Sequence, residues 1–218
     1  MSDQGSHYPN NIAEAWHAAP ENGSERREVR RLSLIQAAGR VFGRKGFHHT
    51  TLDEIARELS VTKPMLYRYV RSKQEILYEC HRVAVGMAEE ALAEAERQNG
   101  TPLQRVASFA EGYIARITTT LGTCVLLTEP FSMTPEDTQR IEQHRRKIDT
   151  RLRELVKEAI DAGEIAPCDP KLAVFFFMGA INGINRWFSD TGERSGPDIA
   201  RVFVDHIVAS LSPQSGAG

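Results

Sequence analysis

The chain is poor in cysteine, with only Cys80, Cys124 and Cys168 in 218 residues. An odd number of well-separated thiols excludes a disulfide framework and a cysteine-based zinc site; three buried free thiols are expected. Long apolar runs are lacking too. None approaches the roughly 18 residues that a membrane-spanning helix needs. The first 24 residues are polar, without the apolar core of a signal peptide. No membrane association and a cytoplasmic location are therefore expected. Strand-like alternation and internal repeats are missing. So are the signatures that carry catalysis: there is no GxSxG elbow, no phosphate loop, no metal-ligand spacing and no Cys/His pair in a supporting motif. The reading is a non-enzyme without cofactor or metal.

What is present is an uneven charge. The net charge of −2 hides a split: residues 25–73 hold 12 Lys and Arg against 5 Asp and Glu, and the rest of the chain holds 15 against 24. A basic binding module is thus joined to an acidic body, and the partner of such a module is anionic.

Residues 1–23, rich in Asn, Ser, Gly, Pro and His, read as a disordered arm. Ser24 can cap a helix to about residue 44, with Val29, Leu32, Ile35, Ala38 or Gly39, and Phe42 as its apolar stripe and Gly46 as its stop. Thr51 with Glu54 is a capping box for a short helix over 52–59. Thr62 caps the next, with Pro64 in its first turn. Ser72 with Glu75 opens a long helix to about residue 97, with Ile76, Cys80, Val83, Met87 and Ala91 on one face. Further helices are expected over 102–120 and 123–131. Another runs from Thr134-Pro135 to Gly163, with Ile141, Ile148, Leu152, Leu155 and Ala159 inward. The last two cover 170–190 and 198–211. Nine helices make an all-α fold.

Two short helices joined by a tight turn after a longer one form a helix-turn-helix pattern, whose second helix enters the major groove with its N-terminal residues at base edges. Here that helix opens TKPMLYRYV (residues 62–70). Lys63 projects a charge at its start, and Tyr67 lies four residues on near the same face. Arg68, Tyr69 and Lys73 reach flanking phosphates. Thr51 can offer its hydroxyl and backbone N–H to a phosphate, helped by the helix dipole. Leu66 and Val70 face inward onto Leu52, Ile55 and Ala56. The competing reading of Tyr67 and Tyr69 is a core ring with a wet hydroxyl. His48 and His49, adjacent on a loop with no cysteine near, are phosphate contacts or solvent-exposed rather than metal ligands.

The ordered set Ile35, Ala37-Ala38, Phe42, Gly46-Phe47, Thr50-Thr51, Ile55-Ala56, Val61, Thr62-Lys63, Leu66-Tyr67, Tyr69, Ser72-Lys73 and Leu77 resembles the DNA-binding domain of TetR-family transcriptional repressors. The resemblance implies a nine-helix TetR-like fold, with a helix-turn-helix DNA-binding domain over 24–73 and a ligand-binding and dimerisation domain over 74–212. It implies a homodimer on a palindromic double-stranded DNA operator, released by a small-molecule effector that tilts the helix beginning at Ser72. Carried onto this chain, Lys63 and its neighbours Thr62, Pro64 and Met65 read bases, and Thr51, Tyr67 and Lys73, with Thr50 beside them, contact the backbone. Two departures stand out. Ser60 replaces the usual glycine at a left-handed turn residue, at a cost of roughly 1 kcal/mol. Pro64-Met65 replaces a small pair, removing one N–H and adding an apolar group that can touch a thymine methyl.

In the body, Gly179 and Gly183 lie four apart on one face of LAVFFFMGAINGINRWF, and the last helix carries Ile199, Val202, Phe203, His206 and Ser210 in one stripe. Both helices from two subunits can build a four-helix dimer seam. The stretch from Glu129 to Ile165, with INGINRWF, resembles the ligand domain of TetR-like regulators that sense acyl-CoA thioesters. The expected effector contacts are Arg140, Arg145, Arg146 and Arg186 to phosphates, Trp187 on a planar ring, His144 beside them, and Met87, Phe109, Tyr113, Phe131 and Phe177 along an apolar tunnel. The residues leave alternatives open. RIEQHRRK also reads as a solvated helix face, and His144 as a satisfied core histidine. The effector alternative is a hydrophobic drug or dye. The enzyme alternative is an activity on an acyl thioester built on His144 or His206.

Overall fold

The computed structural model describes residues 12–20, 23–126, 128, 132–189 and 191–213. Among the described residues there are ten α-helices and no strand: α1 Ile12–His17, α2 Gly23–Lys45, α3 Leu52–Glu58, α4 Lys63–Leu66, α5 Lys73–Arg97, α6 Pro102–Ile117, α7 Thr120–Leu126, α8 Pro135–Asp161, α9 Pro170–Gly183 and α10 Gly196–Leu211. The all-α expectation holds, with one helix more than the nine counted. None is long and apolar enough to cross a membrane. The chain divides into two compact units, Met1–Val83 with Cys124–Asp137, and Ala84–Thr123 with Thr138–Gly218. The boundary expected after residue 73 thus falls inside α5, and the first unit also takes in a segment from later in the chain.

The extra helix is α1, and it corrects the reading of a disordered arm. Ile12, Ala15 and Trp16 are buried, and α1 packs on α2. Six residues are too few to show a period, so only tertiary partners reveal this helix. Residues 1–11 and 21–22 of the arm lie outside the described residues.

In the first unit α2 buries Leu34, Ile35, Ala37, Ala38, Val41 and Phe42. Both Ala38 and Gly39 face inward; a Cβ on Gly39 would fall 2.7 Å from the Cys124 carbonyl oxygen. Gly46 ends the helix at φ 77°. Thr51 and Glu54 form the expected reciprocal cap of α3. Ser60 has φ 55°, the left-handed geometry expected of a residue standing where glycine is usual. Thr62 precedes α4 but its side chain caps nothing. Pro64 has no N–H to give, and the Met65 N–H donates to the Thr62 carbonyl at 2.9 Å. The box at α5 is shifted: Ser72 Oγ accepts from the Glu75 N–H at 3.1 Å, whereas the Glu75 carboxylate accepts from the Arg71 N–H at 2.6 Å.

In the second unit α6 carries its own capping box, Thr101 with Gln104. It stops at Ile117, and α7 starts three residues earlier than expected and ends at Leu126; residues 127 and 129–131 lie outside the described residues. All five inward residues expected of α8 are buried. Asp169 caps α9, which ends at Gly183 in a 3₁₀ turn, Ile184–Arg186, short of the expected end near residue 190. Ser195 caps α10. This helix packs on α6 and buries Ile199, Ala200, Ile207 and Leu211; of the stripe expected at a dimer seam, Ile199 is taken up inside the chain, Phe203 is half-buried, and Val202, His206 and Ser210 are exposed. Gly196 lets the start of α10 come close to the end of α6, since a Cβ there would lie 2.2 Å from Thr118 Oγ1. Cys80 and Cys124 are buried thiols; Cys168 is exposed, in the loop before Asp169, contrary to expectation.

Candidate functional site

The candidate recognition element is α4 and the turn after it. Leu66 and Val70 are buried with Ile55, Ala56 and Leu59 of the α3 region, which holds the inner side of the element. Pro64, Tyr67 and Arg68 are exposed and Met65 is half-buried. Tyr67 is a large ring at 52% exposure. The alternative of a core tyrosine therefore does not apply to it. Lys63 is held by Asp53 of α3, Nζ to Oδ2 2.9 Å, and that hydrogen bond raises its pKa above the usual lysine value. It is thus a fixed cation at the helix start. No acid among the described residues pairs with Arg57, Arg68 or Arg71, whereas Arg31, Arg40, Arg44 and Lys45 all have acidic partners in the same unit. Arg57 and Arg71 were missed by the sequence reading, because these pairings are tertiary and do not follow helical spacing.

Four expected DNA contacts sit differently. Thr50 is 2% exposed and its hydroxyl donates to the Gly46 carbonyl at 2.9 Å, so it closes the turn after α2 instead of facing DNA. Thr51 is exposed, but its N–H and hydroxyl both donate to the Glu54 carboxylate, at 2.8 and 3.1 Å, so a phosphate must compete with that acid. Tyr69 is half-buried edge-on against Trp16 and accepts from Arg30, so the core alternative describes it better. Lys73 donates to the carbonyls of Phe47 and Thr50, both at 2.7 Å, and lies 4.3 Å from the Phe47 ring centroid. Burial lowers its pKa below the usual lysine value, and Glu54 opposes the shift. Lys73 is a clamp on the loop before α3; at most one N–H is left for a phosphate. His48 is exposed, and its Nε2 lies 3.3 Å from Ser132 Oγ. Among the described residues no cluster of ligating side chains could hold a metal ion.

The expected effector residues fall into two groups in the second unit. Phe109 and Phe177 are fully buried, Tyr113 and Met87 nearly so. Phe109 stacks on Tyr113, centroids 5.8 Å apart. The Tyr113 hydroxyl donates to Asn182 Oδ1 at 3.3 Å, and burial pushes its pKa up to about 12. Asn182 is a polar neighbour the sequence reading passed over. Arg140, Arg145 and Arg186 are exposed. His144 is not a core histidine: its Nδ1 lies 2.7 Å from the Glu89 carboxylate, with the side chain 44% exposed. Trp187 is exposed and stacks on Phe203, centroids 6.2 Å apart. Phe131 lies outside the described residues. A shallow depression of about 350 Å³ on α8 is bordered by Arg146, Lys147, Thr150, Arg151 and Glu154. It is made by the solvated face of one helix, with Arg151 tied to Glu96, Glu154 and Glu158.

Exposed large hydrophobic side chains among the described residues are confined to two places. One is Tyr67; the other is Leu172, Phe175 and Phe176 of α9, Trp187, and Val202 of α10. Gly179 and Gly183 share the open side of α9, where an added Cβ would meet nothing within 4 Å. The Phe175 ring lies 5.4 Å from the Arg153 guanidinium and 5.7 Å from Lys171 Nζ.

Two family models match, "Bacterial regulatory proteins, tetR family" over residues 34–80 and "Tetracyclin repressor-like, C-terminal domain" over residues 99–211. The regulator BetI of Rhizobium meliloti is 34% identical over 90 residues, 41% of this chain and 43% of BetI's length. Among solved structures, the ketosteroid transcriptional regulator KstR2 of Mycobacterium tuberculosis superposes with a TM-score of 0.77 at 18% identity, over 85% of this chain and 96% of that one. AibR, solved in complex with isovaleryl coenzyme A and operator DNA, gives 0.70 at 24% identity, over 84% and 98%. At these identities the structural likeness is one of fold, while the two models together span the helix-turn-helix and the C-terminal helices. The chain belongs to the TetR family of bacterial regulatory proteins.

Proposed function

We propose that the chain is a ligand-responsive transcriptional repressor, a homodimer that sets one α4 from each subunit on each half of a palindromic operator. The carrying observation is that, among the described residues, exposed large hydrophobics are confined to Tyr67, amid the cations around α4, and to the α9–α10 surface. A lone exposed ring marks nothing by itself, but one set among unpaired cations suits an anionic partner, and a group of exposed large apolar side chains suits an apolar one. The first is set among cations and suits DNA. Lys63, Thr62, Pro64 and Met65 read base edges, while Thr51, Tyr67 and Arg68 meet phosphates. The second is apolar, rimmed by Arg153 and Lys171, and suits a second copy of the chain, whose helix can approach closely at Gly179 and Gly183.

The effector is an acyl-CoA thioester. Arg145 and Arg186 are exposed arginine forks suited to the phosphates of coenzyme A, and Phe109, Tyr113 and Phe177 offer apolar walls to an acyl chain. AibR, bound to isovaleryl coenzyme A in its solved complex, shares the fold, which favours this class over a drug or dye. A hundredfold loss of operator affinity on binding needs about 2.7 kcal/mol of coupling, within the usual range for two linked sites.

Selection from random duplexes with the full chain should return a two-fold symmetric sequence. Isovaleryl-CoA or a longer acyl-CoA, and not free coenzyme A, should raise the melting temperature and release that duplex, and Arg186→Ala should abolish both effects. An unsymmetric sequence or none would sink the repressor reading. Stabilisation by a cationic dye with no response to any acyl-CoA would sink the effector class alone.

A further inference from the structure

The segment before α2 makes a contact that the helix-turn-helix pattern does not require. Trp16 of α1 is 1% exposed, the largest of the fully buried side chains. Its ring meets that of Tyr69 edge-on, with centroids 5.0 Å apart and planes at 68°. Arg30 of α2 closes the third side. Its guanidinium lies 5.5 Å from the Trp16 centroid, Nε donates to the Trp16 carbonyl at 3.3 Å, and Nη1 donates to the Tyr69 hydroxyl at 3.4 Å. Arg26 Nε donates to the Pro20 carbonyl at 2.9 Å, which ties down the stretch that follows α1. Tyr69 in turn belongs mechanically to α4: the N–H groups of Tyr69 and Val70 both donate to the Leu66 carbonyl, at 2.9 and 3.1 Å.

We propose that residues 12–20 are a brace for the recognition helix, and that Trp16 is a positioning residue acting through Tyr69 and Arg30. A helix of four residues has too few internal hydrogen bonds to hold itself, so its orientation comes from its neighbours. Leu66 and Val70 hold the inner side; the Trp16–Tyr69–Arg30 triangle holds the C-terminal end. Tyr67 and Arg68 sit between those anchors. Phosphate contacts tolerate a loosened element, whereas hydrogen bonds to base edges need fixed geometry. Loss of the brace therefore lowers specific binding more than non-specific binding. This consequence rests on the DNA-binding reading; the brace itself does not.

The test uses the full chain, a duplex selected by the wild type, and a scrambled duplex of equal length. Trp16→Ala should weaken the selected duplex by about tenfold or more and the scrambled one by less than about twofold, with Trp16→Phe close to wild type. Equal losses on both duplexes, or no loss on the selected one, overturn the proposal. Where Trp16→Ala fails to fold, Tyr69→Ala and Arg30→Met stand in under the same criteria. Amide exchange separates the brace from the regulator reading. At Arg68, Tyr69 and Val70 it should quicken by about tenfold in the variant while the α6 interior is unchanged. If the wild type selects no sequence, the regulator reading fails and the exchange result alone decides: unchanged rates overturn the brace.

Discussion

Ser60 holds φ 55° in the turn between α3 and α4, a geometry in which its Cβ crowds the following carbonyl. Glycine relieves that strain, roughly 1–2 kcal/mol, but adds freedom to the unfolded chain at a smaller cost of roughly 0.5–1 kcal/mol. Ser60→Gly should therefore raise the unfolding free energy by up to about 1 kcal/mol, read from chemical denaturation. Lys73 gives the opposite sign. Its ammonium satisfies the carbonyls of Phe47 and Thr50 and lies against the Phe47 ring. Lys73→Met leaves both carbonyls without that donor and should cost about 1–3 kcal/mol of stability. A lysine that served only as a phosphate contact would keep the wild-type melting curve and lose DNA affinity alone. An unchanged melt for Lys73→Met would therefore return Lys73 to the DNA-contacting set. The sequence places Lys73 at the right element but cannot show which way its flexible stem turns; Thr50 and Tyr69 escaped because their partners, the Gly46 carbonyl and the Trp16–Arg30 pair, are set by the folded chain.

Helix starts were legible at most side-chain caps, with Ser195, which starts α10 two residues before the expected 198, as the exception. Thr51, Thr101 and Asp169 all cap the helices they precede. Starts and ends set by tertiary contact were not. The six-residue α1 exists because Trp16 and Ile12 find partners, and α9 gives way to a 3₁₀ turn at Ile184. The α3 cap also carries a titration. The Lys45 ammonium, then the Thr51 N–H and hydroxyl, hold Glu54 at a pKa of about 2, against an ordinary 4.5. A carboxylate depressed in the folded chain stabilises fully above its unfolded value, and that contribution is lost as pH falls through the folded one. Wild-type stability should therefore carry a Glu54 component that fades between about pH 4.5 and pH 2. Glu54→Gln can still accept from the Thr51 N–H but has no charge to titrate. Its denaturation curve should be less acid-sensitive across that window, measured as the difference between the two proteins at each pH. Parallel curves would remove Glu54 from the acid response.

At the scale of the whole molecule, the question is what covers α9 and α10. Leu172 and Phe176 are 62% and 61% exposed within one chain, so each makes little contact there. Replacing either with a charged residue removes almost nothing from the protomer's own core, and surface changes of that kind usually move stability by less than about 0.5 kcal/mol. Against a second copy the same change is costly, because it buries an unpaired carboxylate in an apolar seam and does so twice across a two-fold axis. Phe176→Glu should leave the helical content and the melting of the dilute chain close to wild type while shifting the sedimentation mass to that of one chain. Operator binding should fall with it. A dimer docks its second recognition helix intramolecularly, at an effective concentration in the millimolar range, and a monomer forfeits that advantage, so a loss of about a hundredfold or more is expected on a two-half-site duplex. On a single half-site the variant and the wild type should bind alike. Three measurements on one protein therefore separate the cases: a monomer that binds both duplexes equally weakly supports the seam. A Phe176→Glu dimer with wild-type operator affinity would mean that the copies meet through another surface and that this apolar face has a different occupant.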